Sequence, residues 1–375
     1  MFVFYIFLTA ILLFGATSAG KKKFNDDFLS LSTAKAFQGF LVIAIIIHHI
    51  SQGIKDPEEM WIMTNVGVLC VGFFFFFSGY GVMKSLQTKP NYLDGFLKKR
   101  FISILVPFYL INIIFLVCFA VPDKLSPVEI ILNLFGIQLI NSQSWYIVAV
   151  GIFYLAFYLL FRKIKKIPVA LAGMALFSCV YITVSLFAGH GSWWLQGEWW
   201  FNTFFLAFFG MLVAEYEKKV VAFAKKWYWV LLPVSIGGFA LMFNRTIYVL
   251  NRYSYYAEFS GGSGIPEKWI CLSCQLPAVI LFVAACLLIF MKIRFGNWLL
   301  KYLGSICIEV YLIQNLFLEG LHSDFIHVEN NVLYSALVIA LSVALGSVIH
   351  FVDRKIVSLL QGKPKHADQE KLHTA

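Results

Sequence analysis

Charge is what this chain has least of. Of its 375 residues only 13% are charged, 20 of them acidic, where soluble domains carry about a quarter. With 60% hydrophobic residues and a mean hydropathy of +0.78, that scarcity excludes an ordinary soluble domain and marks an integral membrane protein. Cysteine is sparse too. The seven, Cys70, Cys118, Cys179, Cys271, Cys274, Cys286 and Cys307, are an odd number lying in apolar stretches, which argues against a disulfide framework. Cys271 and Cys274 form a CxxC with no second Cys or His pair at zinc-ligand spacing, so no metal site is expected. No strand-like segment precedes Gly261-Gly-Ser-Gly264, which excludes a phosphate loop. There is no internal repeat. The apolar run Phe2 to Ala16 lacks the basic stretch that would open a secretory signal. It reads as a retained signal-anchor-like helix over residues 1–20.

What charge there is has a pattern. The net charge of +10 does not gather into one patch, so no nucleic-acid partner is expected; it points to topology and to anionic lipid. Apolar segments fall near 2–16, 36–50, 64–83, 101–121, 145–162, 167–187, 199–214, 228–243, 270–291, 304–319 and 333–352. The fold class is therefore all-α integral membrane with about 11 transmembrane helices. A further apolar stretch over 129–141 reads as interfacial or re-entrant. Connections carrying Lys21–Lys23, Lys84 to Arg100, Arg162 to Lys166, Lys218 to Lys226, Lys292 to Lys301 and Arg354 to Lys371 alternate with connections that hold only Lys55, Lys124, Arg245, Arg252 and Lys268. The positive side faces the cytoplasm. This predicts a multi-pass cell-membrane protein whose tail, 354–375, is cytoplasmic.

One span is unlike the others. Lys35 to Ile50, KAFQGFLVIAIIIHHI, ends in His48 and His49. Ionisable groups at membrane depth usually face a protein interior or watery cavity, although polar tips also end spans at the headgroups. Gln38 lies eleven residues before His49, about 20° off a whole number of turns and about 16 Å away along the axis. The two share one stripe, and His48 points roughly 100° off it. On the opposite side, HGSWWLQGEWWFN at 190–202 and the tyrosines of 244–268 suit either stacking on sugars or an interfacial aromatic belt. Asn244-Arg-Thr246 is a formal glycosylation sequon.

Further motifs follow in order. Five phenylalanines lead into Ser78-Gly79-Tyr80. Lys98-Lys99-Arg100 precedes Pro107, where the helix is expected to break. Trp145-Tyr146 opens a span, Phe208-Phe209-Gly210 lies in another, and Leu303-Gly304-Ser305 runs into Glu309-Val-Tyr311-Leu-Ile-Gln314. In order and spacing these resemble the membrane-bound acyltransferase 3 family, which O-acylates cell-surface polysaccharides and other carbohydrates. The resemblance covers about residues 30–353. Its ten core helices match the spans that follow the first. Two positions depart from the family: Gln38 stands where Arg or Lys is usual, and Gln314 where His is usual.

The resemblance implies an O-acyltransferase that moves an acyl group, expected to be acetyl, from acyl-CoA to a glycan hydroxyl. No permanently bound cofactor is implied. Such chemistry needs a base and an oxyanion stabiliser, and His49 is the expected base. Gln38, Lys35, Ser78, Tyr80, Glu309 and Gln314 are expected to support it. Arg100, Lys99 and Lys98 are expected to hold the phosphates of the donor, or else simply to obey the positive-inside rule. The competing readings are a catalytically silent relative, suggested by Gln38 and Gln314, and a transporter or flippase for a glycan or lipid-linked substrate. A glycan polymerase ranks lower.

Overall fold

Apolar chain in lipid must close its own backbone hydrogen bonds, and a helix does so locally. The computed structural model accordingly consists of helices over most of the residues described, 2–54, 60–120, 124–187, 201–253, 264–323 and 326–361. Their order is α1 (Val3–Leu13), α2 (Leu31–Gly53), α3 (Gly67–Thr88), α4 (Phe96–Phe119), α5 (Pro127–Leu134), α6 (Trp145–Lys163), α7 (Ile167–Phe187), α8 (Phe205–Glu215), α9 (Glu217–Lys226), α10 (Tyr228–Arg252), α11 (Ile265–Phe290), α12 (Trp298–Ser305), α13 (Cys307–Gly320) and α14 (Asn331–Gln361). Eight of them, α2, α3, α4, α6, α7, α10, α11 and α14, are long and apolar enough to cross a bilayer.

Each of the eleven predicted segments falls on helix, but three do so only in short pieces. α1 has 11 residues, about 16 Å at 1.5 Å per residue, against a hydrocarbon core of about 30 Å. Its C-terminal carbonyls, Ile11 and Phe14, are capped by the Asn297 side chain. The chain then forms a two-residue strand, Thr17–Ser18, antiparallel to Ile293–Arg294. The segment at 199–214 contributes the 11-residue α8. The segment at 304–319 is divided into α12 and α13 at Ile306. Pro107 does not break α4, which runs unbroken past it; buried helices tolerate proline where neighbours satisfy the freed groups. α10 and α11 extend beyond their apolar runs. Arg245, Arg252 and Lys268 are therefore helical rather than loop residues, and the sequon at Asn244 lies inside α10 with Thr246 buried. The stretch after Ser126 forms the short α5, started by a reciprocal Ser126–Glu129 capping box. Most of the tryptophan-rich loop, Tyr255, Tyr256, Gly261, Gly262, Ser263 and residues 362–375 lie outside the described residues.

α2 is the most enclosed helix after α3. It is apolar all round, as a helix surrounded by protein rather than by lipid should be, and α12, α3 and α13 pack around it. One of these neighbours, α12, comes unusually close through reciprocal glycines. A Cβ on Gly39 would overlap the Leu300 carbonyl, and one on Gly304 would overlap the Lys35 carbonyl. The same device joins α3 to α8: Gly79 abuts the Ala207 carbonyl and Gly210 the Phe76 carbonyl. Small residues let membrane helices approach backbone to backbone. The glycines of the SGY, FFG and LG motifs are thus packing contacts.

Segments predicted on the lysine side touch one another. Lys292 donates to the carbonyls of Gly20, Lys21 and Lys23. Lys225 pairs with Asp26, Lys84 with Glu217 and Arg162 with Asp94. A reporter fused after Lys89 or Lys225 is expected in the cytoplasm, and one inserted at Gly262 outside. Protease or thiol accessibility in sealed vesicles checks this, and a cytoplasmic Gly262 would contradict the alternation.

Candidate active site

α2 begins beside the lysine-bearing segments, where Ser30 caps it by accepting from the Thr33 N–H at 3.2 Å. His49 lies eighteen residues on from Leu31, about 27 Å along the axis, at the far end. There the helix opens into a cavity of about 580 Å³. Its walls come from α2 (His48, His49, Gln52), the turn Met63–Asn65, the turn Ser142–Ser144, Asn202, α10 (Thr246), α11 (Gln275) and α13 (Tyr311). Both imidazoles touch it, with the rings 4.8 Å apart.

The two histidines are held differently. His48 Nδ1 is 2.8 Å from the Met63 carbonyl. A carbonyl only accepts, so Nδ1 carries the hydrogen and Nε2 is left as the lone-pair nitrogen. Gly67 makes room for that edge of the ring, since a Cβ there would press on His48. His49 is less enclosed and lies against the carboxamides of Gln52 and Gln143. Gln52 is steadied by donating to the Thr64 carbonyl at 3.2 Å, and Asn202, also in the wall, donates to Gln275 at 3.4 Å. Among the described lining residues none is a carboxylate, lysine or arginine. The site offers imidazoles, amides, hydroxyls and an indole.

The predicted supporting residues divide into groups. Ser78 and Tyr80, two residues apart on a helix, face different ways. Ser78 bonds the Tyr146 hydroxyl, whereas Tyr80 donates to Glu217 at 2.9 Å on α9. Gln314 is fully buried, donates to the Tyr311 carbonyl at 2.9 Å, and leaves its Oε1 without a donor among the described residues. Lys35, Gln38 and Glu309 lie at the lysine-bearing end: the Gln38 carbonyl is 3.9 Å from Cys307 Sγ, two residues before Glu309. Glu309 itself bonds His350 Nδ1 at 2.7 Å, far from His49.

The cations of α4 separate as well. Lys98 and Lys99 are exposed. Arg100 turns inward, donating to the Tyr92 hydroxyl at 2.7 Å with its guanidinium 5.3 Å from the Tyr154 ring centre. On the cavity side an aromatic seam runs from Tyr146, whose ring lies 5.9 Å from Tyr311, and Tyr311 reaches Trp145 at the cavity wall; Tyr154 lies about two turns further along α6 from Tyr146. Arg100 and the His49 cavity thus adjoin two tyrosines of the same helix, Tyr154 and Tyr146.

Sequence reasoning missed Asn65, Gln143, Asn202, Thr246 and Gln275 as wall residues. The polar run Asn141-Ser-Gln-Ser144 ahead of Trp145 was a usable signal; a lone Gln275 between apolar residues was a weaker one. It also missed His350 and Asp353.

No curated protein and no solved structure matches the chain. A family model does: the acyltransferase domain of the acyltransferase 3 family matches residues 34–351. That interval runs from the first turns of α2 to the last third of α14, taking in the cavity, the aromatic seam and both glycine crossings, and the chain belongs to the acyltransferase 3 family.

Proposed function

We propose that this membrane acyltransferase moves an acyl group, acetyl in the simplest case, from acyl-CoA at the lysine-bearing end to a sugar hydroxyl in the His49 cavity. The observation that carries the reading is the cavity itself. A base-competent imidazole stands in about 580 Å³ walled by neutral hydrogen-bonding groups, a lining that suits a polyol better than an ion. In the transfer step His49 accepts the proton of the acceptor hydroxyl as its oxygen attacks the thioester carbonyl. The Gln143 carboxamide, which flanks His49, has N–H donors for the oxyanion. The C–S bond then breaks, and the thiolate takes the proton from the imidazolium, leaving an ester and free CoA. The side of α6 from Tyr154, beside Arg100, to Tyr146, beside Tyr311, is the route we assign to the pantetheine arm.

Purified protein in sealed proteoliposomes, given carbonyl-labelled acetyl-CoA and a neutral oligosaccharide, is expected to place alkali-labile label on the sugar. Label that stays on CoA while the sugar is bound and moved would favour the transporter reading. Label that stays on CoA with no sugar movement would favour the catalytically silent relative.

The donor end has its own test. Arg100→Ala removes a charge-assisted contact worth about 1.5–3 kcal/mol, so half-saturation by acyl-CoA should rise about ten- to hundredfold with the acceptor dependence unchanged. Lys98→Ala and Lys99→Ala, at exposed positions, should each shift it less. An unchanged donor dependence in folded Arg100→Ala would leave Arg100 as a topology residue.

A further inference from the structure

At the lysine-bearing end a second cluster stands apart from the His49 cavity. Glu309 lies in the first turn of α13, and His350 and Asp353 lie three residues apart, hence on one face, of α14. Their ligand atoms all lie within 4.8 Å of one another. Glu309 is 1% exposed and Asp353 6%. Oε1 of Glu309 receives His350 Nδ1 at 2.7 Å. Its other oxygen, Oε2, is buried and has no hydrogen-bond donor among the described residues. Across the cluster stands the Asp353 carboxyl, which as a carboxylate is a second acceptor.

Two acceptors facing one another in a buried setting need either a shared proton or a cation between them. Lys35 and Arg354 are near enough to act electrostatically on the cluster, but both are exposed. Neither forms an ion pair with these carboxylates among the described residues, and exposed charges are screened. A carboxylate on one helix facing a pair spaced i, i+3 on its neighbour is a donor arrangement that helix bundles use for metal ions.

We propose that Glu309, His350 and Asp353 form a divalent-metal site that clamps α13 to α14. Two carboxylates and one imidazole suit Zn²⁺ or Mn²⁺. Bonds of about 2.0–2.2 Å require the three ligand atoms, now within 4.8 Å of one another, to draw in around the ion, with His350 Nδ1 giving up its hydrogen to coordinate. The remaining positions on the ion go to water. The clamp fixes the register of α13, which carries Tyr311 to the wall of the His49 cavity two residues after Glu309.

The test uses tag-free, full-length protein stripped with a chelator and dialysed against Zn²⁺ or Mn²⁺, with bound metal measured by mass spectrometry and unfolding followed by tryptophan fluorescence. The wild type should take up about one equivalent and melt at a higher temperature as metal rises, because an ion that binds only the folded state stabilises it. Glu309→Gln, His350→Gln and Asp353→Asn should each lose most of that metal. Lys35→Gln should keep it. Less than a tenth of an equivalent on the stripped wild type with an unmoved melting temperature would overturn the proposal, leaving a shared proton between the carboxyls. Equal uptake by wild type and the three variants would overturn it also, by placing the metal elsewhere. These readouts need neither donor nor acceptor, so they stand or fall apart from the transferase reading.

Discussion

His49→Ala should insert, fold and bind acyl-CoA as the wild type does, and transfer the acyl group about 10²–10⁴ times more slowly, the usual loss when a general base is removed. His48→Ala should stay within about tenfold of the wild-type rate per folded molecule. The difference follows from how the rings are held. His49 lies between two carboxamides in the cavity wall. His48 is tied by Nδ1 to the Met63 carbonyl, with Gly67 of α3 against its other edge, so losing it costs packing and a buried hydrogen bond, an effect of about 1–3 kcal/mol on stability. Steady-state rates normalised to folded protein, with donor binding measured separately by calorimetry, check both. Turnover by His49→Ala near the wild-type rate would remove the catalytic assignment. A larger loss in His48→Ala than in His49→Ala would transfer the assignment to the neighbouring ring.

The second large effect is expected in the scaffold. Gly79→Ala and Gly210→Ala each place a methyl group against a backbone carbonyl of the facing helix, Ala207 and Phe76 respectively. A carbonyl cannot rotate aside as a side chain can, so α3 and α8 must separate, at a cost of about 1–3 kcal/mol and occasionally more. The double substitution should cost less than the sum, because helices already parted by one methyl accommodate the second. Gly81→Ala is the control: it lies on the same helix with nothing within 4 Å of the added carbon, and alanine favours helix. Thermal unfolding in detergent should therefore show two lowered transitions and one unchanged or raised. If Gly79→Ala melted with the wild type, close α3–α8 packing would not be what that glycine is for.

What was legible in the sequence follows from the range of the interactions concerned. Residues on one helix could be read together. Gln38, His48 and His49 were seen as polar groups on one buried span, and the SGY, FFG and LG motifs were recognised as signals before their partners were known. Partners on other helices could not be read. Nothing in the spacing says that Gly39 meets Leu300 or that Gly79 meets Ala207. Glu309 was picked out as a polar residue in an apolar run, but its companions lie 41 residues on and beyond, at a helix end that looked like the start of a tail. Helix geometry put His48 off the His49 stripe, and its ring bonds the Met63 carbonyl while one part still touches the cavity, whose extent several elements set. Thr246 passed as part of a sequon because α10 continues through polar residues.

The most direct test of transfer at His49 is an experimental structure with a non-transferable acyl-CoA analogue and a neutral oligosaccharide bound together. The expected density puts the adenosine phosphates near Arg100 and the lysine-bearing end, with the pantetheine arm along Tyr154, Tyr146 and Tyr311. The thioester carbonyl and a sugar hydroxyl then lie within hydrogen-bond reach, about 3 Å, of a His49 ring nitrogen and its flanking carboxamide. An acyl carbon at the Glu309–His350 end, with the sugar nowhere in the cavity, would contradict it.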